Sequence, residues 1–232
     1  MRPVIFLAAV LIVAGCAVPA STLSRPDAYY DQVSAAETTA SLFAADSETL
    51  SDEAIRQILA YDYTPPALSR VALMPFGRET FSGWSEELAF SSESMQARVL
   101  ETLRASPKVY DASYLPSILV PETRTVPHLR EAAARYQADL LLVYRSYCRS
   151  FEKYRLFGAD RSRAYCGVEA VLLDTRTGLV PFTTVATRAY DVVENPADTN
   201  FRETQLRAQL DATSAALGDV SEEVVRFLAG ES

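Results

Sequence analysis

The sequence predicts an α/β chain of α+β-like character: a mixed β-sheet with helices packed on it, in the order β-α-β-α-β-β-β-α. Three observations predict it. Apolar residues recur at helical spacing in several segments, and short runs of aliphatic residues lie between them. The early strands alternate with helices, whereas the last three follow one another, so the sheet mixes crossovers with a meander. No internal repeat interrupts this order.

Size and composition agree. A chain of 232 residues buries roughly 70% of its unfolded surface on folding, enough for a substantial core. At 49% hydrophobic and 22% charged residues, wholesale disorder, collagen and a polytopic membrane protein are excluded. The formal net charge of −8 argues against a nucleic-acid partner. One histidine and three cysteines leave little material for a metal site, so neither metal nor cofactor is expected.

The elements follow in order. Ser51 opens a short helix as its N-cap, with Asp52 and Glu53 suited to the helix dipole and Ile55, Ile58 and Leu59 as its apolar face. Pro65-Pro66 ends this preamble. Residues 70–77 read as a buried strand closed by a turn. Residues 84–105 carry Leu88, Met95, Val99 and Leu103 at helical period, and Pro107 stops them. Residues 108–112 form a second strand and 113–125 a loop, whose apolar stretch 114–121 is a second candidate binding surface or a cover for the sheet's edge. Pro127 sits in the first turn of a helix running to about Tyr136. Strands follow at 138–149, 164–174 and 179–190. Residues 199–228 place Leu206, Leu210, Leu217, Val224 and Leu228 at helical steps, with Gly218 expected to break the helix in two.

One strand register can be tested by pairing. Setting Cys148 opposite Cys166 in an antiparallel hairpin places Arg145 opposite Glu169, Val143 opposite Val171 and Leu141 opposite Leu173. On the other face Ser146 meets Val168, Tyr144 meets Ala170 and Leu142 meets Leu172. Charges meet opposite charges and apolar residues meet apolar ones, each pair contributing about 0.2–1 kcal/mol. A slip of one residue would mix the two faces. The register favours a Cys148–Cys166 disulfide; two buried free thiols or a redox pair are the alternatives, and no Cys-x-x-Cys motif is present. Asp174 to Gly178 suits a tight hairpin turn with a bulge.

The amino terminus carries an address. Arg2 is followed by an apolar run from Val4 to Val13, too short to span a bilayer and suited to a signal peptide. Val13-Ala14-Gly15-Cys16 then resembles a bacterial lipobox. That resemblance implies diacylglyceryl transfer to the Cys16 sulfur and cleavage before Cys16, with palmitate-type acyl chains holding the mature chain to a membrane. Ala17, in a position where Asp would imply inner-membrane retention, implies the outer membrane, facing the periplasm. The periplasm is oxidising, in keeping with the cysteine pair. The expected organisation is a signal peptide at 1–15, a lipidated tether at 16–50, a short helix and linker at 51–66, and a periplasmic α/β domain at 67–230.

The strand Val71-Ala-Leu-Met-Pro-Phe76, the segment Tyr136-Gln-Ala-Asp-Leu-Leu-Leu-Val143 and the Asp174-x-x-Thr177-Gly178 hairpin together resemble a family of periplasmic α/β domains. Its members include the TolB amino-terminal domain, the penicillin-binding-protein activator LpoB and the curli secretion lipoprotein CsgG. The paired elements Tyr147-Cys148-Arg149 and Tyr165-Cys166 are also similar to the rhombotarget lipoproteins. The wider group implies a binding or assembly role rather than catalysis.

No catalytic residue is assigned. His128 stands in a helix's first turn, there is no Gly-x-Ser-x-Gly elbow, and the glycines around residues 77–83 lack the Gly-Lys-Ser/Thr of a P-loop. Between 145 and 163, Arg145, Arg149, Lys153, Arg155, Arg161 and Arg163 stand against Glu152 and Asp160, with Phe151, Tyr154 and Phe157 among them. Arg149, Phe151, Lys153, Tyr154, Arg155 and Phe157 are therefore the expected partner-binding residues, because aromatic and basic side chains together suit an acidic protein, a phosphorylated lipid surface or a glycan. The expected function is a non-enzymatic, membrane-anchored lipoprotein that binds or scaffolds an envelope protein. An envelope hydrolase using His128 and a small-ligand binder with a deep pocket are the alternatives.

Overall fold

The computed structural model describes residues 41–43, 49–77, 86–153, 161–193 and 200–231. Helix α1 spans Asp52–Leu59, β1 Ser69–Pro75, α2 Glu86–Arg104, β2 Val109–Tyr114, α3 Val126–Arg135, β3 Leu140–Lys153, β4 Arg161–Asp174, β5 Phe182–Val193 and α4 Phe201–Ala229. A single 3-10 turn, Ser117–Leu119, follows β2. The five strands form one sheet in the order β2-β1-β3-β4-β5. β1 runs parallel to both β2 and β3, and β3, β4 and β5 are antiparallel. From β1 onward this is the predicted order of elements.

Two cores lie on opposite faces of the sheet. On one face Val71, Leu73, Leu142 and Val168 pack against Met95 and Leu103 of α2 and Leu210 and Leu217 of α4. On the other, Ala72, Met74, Leu141 and Leu173 pack against Leu129 and Ala133 of α3. β1 is buried on both faces, as a central parallel strand flanked by helices must be. Its alternation thus sends side chains into two different cores.

Several expectations need correction. The apolar face of α1 is not buried: the helix has no buried residue, and Leu59 is 81% exposed. Ser51 does cap it, accepting a hydrogen bond from the Ala54 N–H at 3.2 Å. Gly218 does not break the last helix, which is continuous over 29 residues. Nothing approaches within 4 Å of where a Gly218 Cβ would stand, so this glycine lowers helix propensity without opening a turn. β5 begins at Phe182 rather than 179, because the turn after β4 runs through Gly178 and Pro181 precedes the first ladder residue. β3 and β4 extend four and three residues beyond their predicted tips, since the ladder continues through Lys153 opposite Arg161. The stretch after β2 divides its roles: Leu115 is buried and Leu119 and Val120 pack on the second core, whereas Ile118 points to solvent.

The last two helices end alike. Gly230, at φ +79°, closes α4 with its N–H on the Phe227 carbonyl and that of Glu231 on the Arg226 carbonyl. Gln137, at φ +59°, closes α3 the same way, with its own N–H on Ala134 and that of Ala138 on Ala133. Both are Schellman motifs, but only one has the glycine that this conformation favours.

Candidate functional site

The site is built by a difference in length between the sheet and the helix beneath it. α3 covers the β3–β4 hairpin only around Leu141, Val143 and Leu173. Beyond that, every second residue of β3 faces the same side: Arg145, Tyr147, Arg149 and Phe151. The register sets them opposite Glu169, Gly167, Tyr165 and Arg163 of β4, in that order. Tyr147, Arg149, Phe151, Arg163 and Tyr165 are exposed there. Arg149, Phe151, Arg163 and Tyr165 line an open depression of about 530 Å³.

The aromatic rings are held in place. Phe151 and Tyr165 meet edge to face, with centroids 5.6 Å apart and planes at 88°. The Tyr147 ring lies over Gly167, where a Cβ would overlap its Cζ and hydroxyl. The charges are more balanced than the sequence implied. Arg145 pairs with Glu169, as the register predicts. Arg163 pairs with Asp191 across the next strand boundary, through both Nε and Nη2, and its Nη1 donates to the Tyr165 hydroxyl at 3.3 Å. Arg163 holds the Asp191 carboxyl below its ordinary pKa by hydrogen bonding, and Asp191 raises the Arg163 guanidinium in return. Both side chains are solvent-exposed, so the pair adds little to stability. β5 brings in an acid, Asp191, that sequence distance concealed. Among the described residues Arg149 has no carboxylate partner.

Of the predicted binding residues, Arg149 and Phe151 lie side by side on this face. Lys153 ends β3, and its side chain lies outside the described residues, as do Tyr154, Arg155, Phe157 and Cys16. Tyr147 and Tyr165 were missed as site residues. Strand alternation from Arg145, combined with the hairpin register, already places both on this face.

The opposite face of the same residues is a structural staple. Cys148 and Cys166 form a disulfide across the hairpin, with Cα atoms 4.2 Å apart. α4 covers it: the Cys166 sulfur lies 3.3 Å from the Gln209 carbonyl oxygen, and the Thr213 hydroxyl lies 3.4 Å from the Cys148 sulfur. Gln209 Nε2 also donates to the Ser150 hydroxyl at 2.7 Å. The exposed residues on β3 and β4 thus stand on a backbone pinned from behind.

His128 serves its helix. Its Nδ1 shares a hydrogen bond of 2.7 Å with the Thr125 hydroxyl at the start of α3. Among the described residues no cluster of three or more His, Cys, Asp or Glu side chains is placed to hold a metal ion.

No family model matches the chain, and no curated protein matches it. Among solved structures, the chain is similar to the PelC dodecamer from Paraburkholderia phytofirmans, at 18% identity, over 67% of this chain and 94% of that one, with a TM-score of 0.29. It is similar to a minor lipoprotein from Acinetobacter baumannii at 9% identity, over 69% and 90% of the two chains, with a TM-score of 0.33. It is also similar to the lipoprotein GNA1162 from Neisseria meningitidis at 12% identity, over 63% and 99%, with a TM-score of 0.30.

Proposed function

We propose that this chain is a non-enzymatic lipoprotein, acylated on Cys16 and held to the outer membrane on its periplasmic side, which binds an envelope protein through the open face of the β3–β4 hairpin. The observation that carries the anchor is the sequence Val13-Ala14-Gly15-Cys16 behind a short apolar run. The Cys148–Cys166 disulfide suits the same compartment. Among the described residues no helix is long and apolar enough to cross a membrane, so the acyl chains would carry the attachment.

The binding surface rests on chemistry. Tyr and Arg are enriched at the energetic centres of protein interfaces, because rigid rings and a planar guanidinium give contact area and directional hydrogen bonds with little loss of freedom. Arg149, exposed and without an acid partner among the described residues, suits a carboxylate on the partner. The aromatic residues beside it supply the apolar contact. Lys153, Tyr154, Arg155 and Phe157 extend this surface in the proposal.

The test is site-specific photo-cross-linking from position 165, opposite Arg149 on the same face, in intact cells, followed by mass spectrometry. The reading expects one recurrent envelope protein, and its loss when Phe151→Ala and Arg149→Glu are combined. Capture that ignores these substitutions would contradict the surface.

A further inference from the structure

β5 is the outermost strand beyond β4, and the phase of its backbone can be derived. The Cα atoms of Cys148 and Cys166 are only 4.2 Å apart, the spacing of a pair that exchanges no backbone hydrogen bonds. Even-numbered residues of β4 therefore direct N–H and C=O toward β5. Asp174 confirms the phase, since its N–H bonds the Leu179 carbonyl and its C=O accepts from Gly178, both on that side. Cys166 stands opposite Arg188, so even residues of β5 bond back to β4. The odd residues, from Thr183 to Val193, direct their backbone groups outward. Among the described residues none of these outward groups has a backbone partner.

An edge of this kind is a template for another strand, and proteins normally blunt it with proline, lysine, bulges or short length. β5 has none of these: it runs 12 residues with no Pro and no Lys, and its ladder to β4 is unbroken. Its charges are turned back into the chain, Arg188 to Asp219 and Asp191 to Arg163. Val185 is 64% and Val193 51% exposed. The opposite edge, β2, has only six residues.

We infer that β5 pairs antiparallel with β5 of a second copy of this chain, about an axis through Ala189, joining the two sheets into one. Side chains on the same face meet only if the axis passes through a residue rather than between two. An axis at Arg188 or Asp191 sets like charges opposite each other, which is destabilising. The axis at Ala189 sets Val185 opposite Val193, Thr187 opposite Asp191 and Arg188 opposite Tyr190. The two exposed valines then cover each other, the hydroxyl meets the carboxylate, and the guanidinium meets an aromatic ring. The pairing uses β5 alone, so it does not depend on the fate of Cys16 or on the β3–β4 face.

Disulfide trapping in whole cells making the full chain, whether or not it is membrane-bound, tests it. Ala189→Cys should give an oxidised species of twice the chain's mass, well above the background of the parent chain with its native cysteines, and Thr187→Cys should stay at background. Adding Thr187→Pro to Ala189→Cys removes one outward N–H and leaves the β4 ladder whole, so the dimer should vanish while the circular dichroism spectrum holds. If that proline disturbs folding, Val185→Asp, which sets a charge opposite Val193, should give the same loss. Trapping at 187 instead of 189 would overturn the register. No dimer at either position, a dimer indifferent to Val185→Asp, or trapping of a different protein at 189 would overturn the self-pairing.

Discussion

The ring of Tyr147 on β3 occupies the space above Gly167 on β4 that a Cβ at position 167 would fill. A glycine inside a strand is normally a weakness, having no side chain to pack and more freedom to lose on folding. Here the cross-strand tyrosine covers the gap and gains a flat seat on the exposed sheet face. Gly167→Ala should turn the ring off that seat and shift stability by no more than about 0.5 kcal/mol in urea denaturation, because the atoms it meets are the far end of an exposed side chain. A loss of several kcal/mol would show that the ring cannot move aside.

The disulfide should matter to stability more than its single bond implies. It closes a loop of 17 residues, and removing a native disulfide from a small domain typically costs about 2–5 kcal/mol. Cys148→Ser with Cys166→Ser should lower the denaturation midpoint accordingly and leave the register in place, because Arg145–Glu169 and the apolar pairs still specify it. Hydrogen exchange across the hairpin reads the register. Loss of protection throughout β4 would contradict this.

The end of α3 should accept improvement. Gln137 holds φ +59°, a region costly for side chains with a Cβ, in a Schellman motif that glycine fits. Gln137→Gly should stabilise by about 0.5–1 kcal/mol, after the greater freedom of glycine in the unfolded chain is subtracted. Thermal unfolding measures this, and destabilisation would show that the Gln137 side chain makes compensating contacts.

One carboxylate should oppose folding at neutral pH. Burial raises the Asp211 carboxyl on α4, against the lowering effects of Arg207 and Arg98. A carboxyl whose pKa is higher in the folded state holds its proton more tightly there. Its contribution is therefore favourable below the ordinary Asp value of about 3.9 and is lost as pH rises through that value and the folded one. Asp211→Asn should raise the melting temperature at pH 7, with the difference shrinking below about pH 4. A difference independent of pH would contradict the burial argument.

Local pairing made much of the fold legible. The β3–β4 register followed from a single assumption about two cysteines, because charges and apolar residues then matched on both faces. What failed was information that only the assembled sheet supplies. The pairing of β4 with β5 sets Asp191 against Arg163, and no sequence spacing marked that contact. The apolar residues of α1 had the period of a packed helix but found no surface to cover. Gly218 had the look of a break, yet packing of α4 against β3, β4, β5 and α2 carried the helix through it. Tyr147 and Tyr165 were within reach, since alternation alone puts them beside Arg149.

Attachment through Cys16 is settled by mass spectrometry of the amino-terminal peptide from the mature protein extracted from membranes. The peptide should begin at Cys16 and carry a diacylglyceryl group on its sulfur, and Cys16→Ser should abolish palmitate labelling and release the chain from the membrane. A mature chain that begins at another residue, or bears an unmodified Cys16 thiol, would contradict it.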